Sequence, residues 1–174
     1  MYTLGPEEKV SVVMAYTQTG LVRGEIVTRE SMRLNNWFRT DSAPDYIHLY
    51  KLQWLQASGG AIKSLAYREL LLPISLVIGF HVAPPSQEPL DYNVREDNRV
   101  NKPITILMGL FMISGSFRAS AQSDLVTSLQ ISHSPWVSIY DAEISSPQFQ
   151  QMPPFQVPML LIRSEQVIFL PQDQ

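Results

Sequence analysis

The chain contains no cysteine, which removes disulfides, thiolate metal sites and cysteine nucleophiles together. Histidine is nearly as scarce. His48, His81 and His133 are the only three, and no His-x-x-x-His or His-Glu spacing joins them, so no metal site is expected. Charge is sparse as well: 17% of residues are Asp, Glu, Lys or Arg, with a net charge of −3. A protein that tracks a phosphate backbone carries a basic face, so nucleic acid is disfavoured as a partner. Long apolar runs are missing too. The longest, residues 104–113, is roughly half of what a membrane-crossing helix needs. Glu7 and Glu8 fall where an export signal requires a basic flank and an apolar core. A cytoplasmic protein that makes no membrane contact is expected.

Catalytic motifs are also lacking. No Gly-x-Ser-x-Gly elbow presents a serine nucleophile. Ser58-Gly59-Gly60 has no lysine beside it to make a phosphate loop. Asp91, Glu96 and Asp97 gather carboxylates in residues 83–103, but that stretch is rich in proline and asparagine and reads as a solvated linker. No enzyme activity and no cofactor are expected.

What is present is β-forming sequence, with 45% hydrophobic residues to build a core. Residues 10–16 and 21–28, joined through Gly20, read as a hairpin. Residues 32–38 are ambiguous between a strand and a short helix. Residues 45–55 alternate, placing Ile47 and Leu49 on one face and Tyr46, His48 and Tyr50 on the other. Residues 69–80 form a continuous apolar run suited to a buried strand, with Pro73 demanding a bulge, an edge or a strand start. In the second half, residues 104–113 and 136–144 read as strands, and Ser114-Gly115-Ser116 as a tight turn. Residues 159–170 read as a last strand bent near Ser164-Glu165.

Self-similarity orders these pieces. Gly24, Ser31 and Arg33 recur 85 positions on as Gly109, Ser116 and Arg118. Residues 46–50 match 136–140 at an offset of 90, and residues 72–77 match 157–162 at 85. The division that follows is a first β module over residues 1–83, a linker over 84–103 and a second β module over 104–174. Arg33 and Arg118, placed alike by this alignment, are the candidate binding residues. A bidentate guanidinium suits an anion, and equally a structural role within each module. The aromatic residues Trp37, Trp54, Trp136, Tyr46, Tyr50 and Tyr140 are expected in the core or between modules.

The strings Gly24-Glu25-Ile26, Arg33-Leu34 and Tyr46-Ile47-His48-Leu49 resemble those of uncharacterised bacterial proteins with tandem Sm-like modules. The resemblance implies a mainly β fold with two tandem small Sm-like barrels, strongly bent and roughly five-stranded, with little helix. Sm-like RNA binders carry an Arg-Gly near the closing strand, and neither closing run here has one. The expectation is therefore a non-catalytic binding or scaffolding protein, with a protein partner or self-association. A nucleic-acid-binding Sm-like protein and a small-molecule-binding β-barrel are the alternatives.

Overall fold

The computed structural model describes residues 3–171 apart from residues 60, 94, 133 and 150. The chain is mainly β. Glu8–Thr17 (β1) and Gly20–Arg29 (β2) form the expected hairpin, and the short helix Leu34–Trp37 (α1) leads to Tyr46–Ser58 (β3) and Ala61–Pro73 (β4). A 3₁₀ turn, Ile74–Leu76, precedes Gly79–Val82 (β5). The second half runs Arg99–Met108 (β6), Phe111–Ser120 (β7), helix Leu125–Ile131 (α2), Trp136–Ser145 (β8) and Phe155–Arg163 (β9). A 3₁₀ turn, Ser164–Gln166, then leads to Ile168–Pro171 (β10). No helix among the described residues is long and apolar enough to cross a membrane.

The ten strands form one antiparallel sheet in the order β10-β6-β7-β8-β9-β5-β1-β2-β3-β4. In each half the last strand lies beside the first, followed by the second, third and fourth. The sheet is open, so the two closed barrels expected from the sequence are not what forms. The reason lies at the centre. Strand β5 pairs with β1 on one side and on the other with β9 of the second half, Gly79 opposite Ile162 and Phe80 opposite Leu161. The halves are thereby stitched into a continuous sheet, and β4 and β10 are left as its edges.

Both halves bend at the same place. Gly24 in β2 sits at a register shift between Arg23 and Glu25, and Gly115 in β7 at one between Ser114 and Ser116. A Cβ on Gly24 would lie 3.0 Å from the Cβ of Leu52, and one on Gly115 would lie 2.8 Å from Ile139. Only a bare backbone permits this approach. The partner strands turn there through Lys51 and Asp141, which adopt left-handed φ of 46° and 49°. Left-handed backbone at a side-chain-bearing residue is uncommon, and here it recurs at matching points of β3 and β8.

These positions correct the alignment made from the sequence. Gly24 corresponds to Gly115, not to Gly109, and β1 with β2 corresponds to β6 with β7 at an offset of 91 (residue 8 against residue 99). Gly109, with φ of 58°, belongs to the turn between β6 and β7. Glycine serves bulges and tight turns alike, so residue identity alone does not distinguish Gly109 from Gly115. Strands β3 and β8 begin 90 residues apart, and so do their partners Pro73 and Arg163, which replaces the 85-residue match of residues 72–77 with 157–162. Ser114-Gly115-Ser116 is accordingly a bulge inside β7 and not a turn. The run 69–80 is divided, because β4 stops at Pro73, which has no amide to continue the ladder. Strand β6 begins at Arg99, inside the stretch expected to be linker.

The buried apolar residues form two cores. Val13, Val22, Ile26, Ile47 and Leu49 are buried in the first, and Ile104, Ile106, Ile113, Ile139 and Leu160 in the second. Each borrows from the other half. Trp136 and Leu161 belong to the first core, whereas Tyr16, Leu21 and Ile78 belong to the second. The cores interlock across the β5–β9 seam.

Candidate functional site

The segment between β5 and β6 is fastened along its length. The Ser86 hydroxyl accepts from the Val12 amide at 2.8 Å, and the Pro84 carbonyl accepts from the Arg23 guanidinium at 3.0 Å. Arg33, the N-cap residue of α1, offers no side-chain cap. The Glu88 carboxylate takes that place, accepting from the amides of Leu34 at 2.7 Å and Asn35 at 3.1 Å. A carboxylate at exposed helix amides is favoured by both hydrogen bonding and the helix dipole.

Three residues on, Asp91 is a node. Its carboxylate accepts from Tyr140 Oη at 2.6 Å, Ser138 Oγ at 2.7 Å and Arg39 Nη1 at 2.5 Å. Arg39 reaches it from the first half, while Ser138 and Tyr140 lie on β8. Burial pushes the Asp91 carboxyl up, but the Tyr140 and Ser138 bonds and the Arg39 charge outweigh it and hold its pKa below the usual value. Burial and the bond to Asp91 push the Tyr140 hydroxyl up. Asp91 was expected to be a solvated loop carboxylate. Its side chain is instead almost wholly buried, because these donors repay its desolvation.

Arg118 lies under the same segment. Its guanidinium stacks 4.2 Å from the centre of the Tyr92 ring and donates through Nη2 to the carbonyls of Asn93 and Glu96 at 3.2 Å each. Its Nε is buried without a partner among the described residues. An open-mouthed cavity of about 650 Å³ adjoins it, lined by Arg39, Tyr92, Arg99, Arg118, Ser128 of α2 and Tyr140.

The two arginines singled out from the sequence do not come together and are not equivalent. Arg33 is exposed at the start of α1, and the residue in its place at the start of α2 is Asp124. Arg118 lies within β7 and is nearly buried. Of the histidines, His133 lies outside the described residues. His48 on β3 bonds to Glu69 and to Tyr50. His81 on β5 is buried, its Nδ1 donating to the Val82 carbonyl and its Nε2 accepting from Tyr16 Oη at 2.9 Å. Burial lowers its pKa to about 4. His48 and His81 therefore have separate partners. Among the described residues, no three His, Asp or Glu side chains gather to hold a metal.

The edges are the other exposed feature. Among the described residues, the outer sides of β4 and β10 have no strand partner. Leu71 on β4 and Ile168 on β10 are more than half exposed, as is Tyr46 on the neighbouring β3. Sequence reasoning missed the roles of Glu88 and Asp91 and the exposure of Leu71. Nothing local marks them, since each depends on what the rest of the chain brings alongside.

No family model matches this chain, and no curated protein or solved structure matches it either.

Proposed function

We propose that this chain is a non-catalytic scaffolding protein built from two Sm-like modules, which arose by duplication and self-associate through the edges of their shared sheet. The observation that carries the reading is the pair of unpaired strands, β4 and β10, with apolar side chains exposed along them. The unpaired backbone donors and acceptors of a sheet edge offer a template on which another strand can pair. The duplication is supported by the common strand order, by the paired bulges at Gly24 and Gly115, and by Lys51 and Asp141 at matching left-handed positions. Size-exclusion chromatography with light scattering across the micromolar range tests it. Species larger than the monomer are expected, and a strict monomer throughout would sink the proposal.

One observation favours a second reading, a small-molecule-binding β protein: the open cavity beside Arg118, whose size falls in the range of ligand pockets. A panel of small organic anions in a thermal-shift assay tests it, because a ligand that binds only the folded chain raises its melting temperature. The nucleic-acid alternative has no comparable support, and a fluorescence titration with short U-rich and A-rich RNA at low salt is its test.

A further inference from the structure

The seam that joins the two halves uses the same kinds of strand that are left free at the two ends of the sheet. Strand β5 corresponds to β10: Gly79 lies opposite Tyr16 of β1 as Ile168 lies opposite Leu107 of β6. Strand β4 corresponds to β9: Tyr46 lies opposite Pro73 as Trp136 lies opposite Arg163. The β5–β9 seam is therefore a head-to-tail contact between unlike edges, and it leaves one unsatisfied edge of each kind. A contact of this type does not close on itself within two units, so it propagates into rings or filaments.

Resting on the scaffolding reading above, we infer that β10 of one copy pairs antiparallel with β4 of the next, in the register of the internal seam. That register places Ile168 opposite Leu72 and Phe169 opposite Leu71, as Gly79 lies opposite Ile162 and Phe80 opposite Leu161. The occupant of each edge is a second copy of this chain.

Side-chain burial supports the choice independently of the backbone. At the seam, Trp136 and Leu161 cross into the core of the first half, where they are 3% and 0% exposed. Their counterparts at the free end of the sheet are Tyr46, on β3, and Leu71, on the edge strand β4, which are 56% and 59% exposed. Two positions that act as plugs at the seam thus stand uncovered at the edge, still occupied by large apolar or aromatic residues. The receiving side is β10, where Phe169 packs against the second core as a partly buried residue. Phe80, its counterpart, is completely covered at the seam.

The contact between copies is weaker than the seam. Arg163 donates its amide to the Ile78 carbonyl at 2.9 Å and its guanidinium to the carbonyls of Val77 at 3.3 Å and Ile74 at 3.0 Å. Pro73 occupies the Arg163 position and supplies none of these donors. The assembly is accordingly reversible and concentration-dependent.

The test uses the full chain. Because it has no cysteine, the double variant Leu71→Cys, Phe169→Cys contains only the two thiols that the register brings opposite each other between copies. Oxidation should give a ladder of covalent dimers, trimers and higher species, absent from either single variant above the dimer. Leu71→Asp should abolish every species above the monomer in light scattering. Tyr67→Asp, at an exposed residue on β4 outside the register, should leave the assembly intact. Circular dichroism checks that both charge variants remain folded, which substitution at exposed side chains permits. Assembly that survives Leu71→Asp, with no ladder, overturns the register and leaves the scaffolding reading standing. A monomer at all concentrations overturns both.

Discussion

Trp136 and Tyr46 occupy the same place in their respective halves, yet one is buried and the other exposed. Trp136 is covered because β5 and Phe38 of the first half lie against it, with ring centres of Phe38 and Trp136 5.6 Å apart. Its own partner strand β9 is joined to β5. Tyr46 has the same strand environment on its own side and is left 56% exposed. Strand-end aromatic residues of this kind do not carry their burial with them. A neighbour confers it, and the chain supplies that neighbour once. The helices differ in a parallel way. Helix α2 is capped from within by Asp124, which accepts from the Thr127 amide at 2.7 Å, whereas α1 depends on Glu88 from the connecting segment. The second half is self-sufficient at its helix, and the first is completed from outside.

The largest effect that would sharpen this comparison lies at the seam. Trp136→Ala should cost about 3–5 kcal/mol of folding stability, the usual range for deleting a buried aromatic side chain. Tyr46→Ala should cost the dilute monomer less than about 0.5 kcal/mol, as a surface change does. Chemical denaturation at low protein concentration measures both, and equal losses would erase the distinction between the two positions.

Acid offers the next test, because only the first half buries a histidine at the matched site. His81 and Tyr16 correspond to Leu170 and Leu107 of the second half. The pKa of folded His81 is about 4 against an ordinary 6.5, so the unfolded chain takes up the proton first as pH falls. The stability held by neutral His81 is complete above pH 6.5 and is lost as pH drops towards 4, by about 3 kcal/mol over the full window. His81→Leu should flatten the pH dependence of urea unfolding in that range. An unchanged slope would assign the effect elsewhere.

Asp91→Ala should remove about 2–3 kcal/mol, the scale of hydrogen bonds to a buried charge, as read from the melting temperature. In the unaltered chain this contribution is complete above the usual carboxylate range and disappears as pH falls through the lowered folded value. Least is expected from the caps. Glu88→Ala should cost about 1 kcal/mol at α1, and amide exchange of Leu34 and Asn35 should quicken while that of Thr127 does not.

Much of the strand pattern was legible from the residues. The hairpin of β1 and β2 followed from two β-prone runs about Gly20, and the facing of Ile47 and Leu49 followed from alternation. The bend at Ser164-Glu165 falls at the second 3₁₀ turn. The part of β4 before Glu69 was not legible, because Lys63, Ser64 and Arg68 interrupt its apolar residues and much of it faces solvent. The candidate site was read least well. Arg33 and Arg118 share residue type and an 85-residue spacing, but the strands around them repeat at 91, and only hydrogen-bonded partners reveal that offset.

The sequence by itself determined that the chain is mainly β, that its first two strands form a hairpin about Gly20, and which face of β3 holds Ile47 and Leu49. Those features are set by residues adjacent along the chain, through alternation, turn chemistry and the conformational range of glycine and proline. Which strand lies beside which was decided by the tertiary structure alone. An alternating strand specifies a buried face but no neighbour, since its backbone donors and acceptors are the same at every residue but proline. The pairing of β5 with β9, the burial of Asp91 and the exposure of Leu71 all follow from that choice.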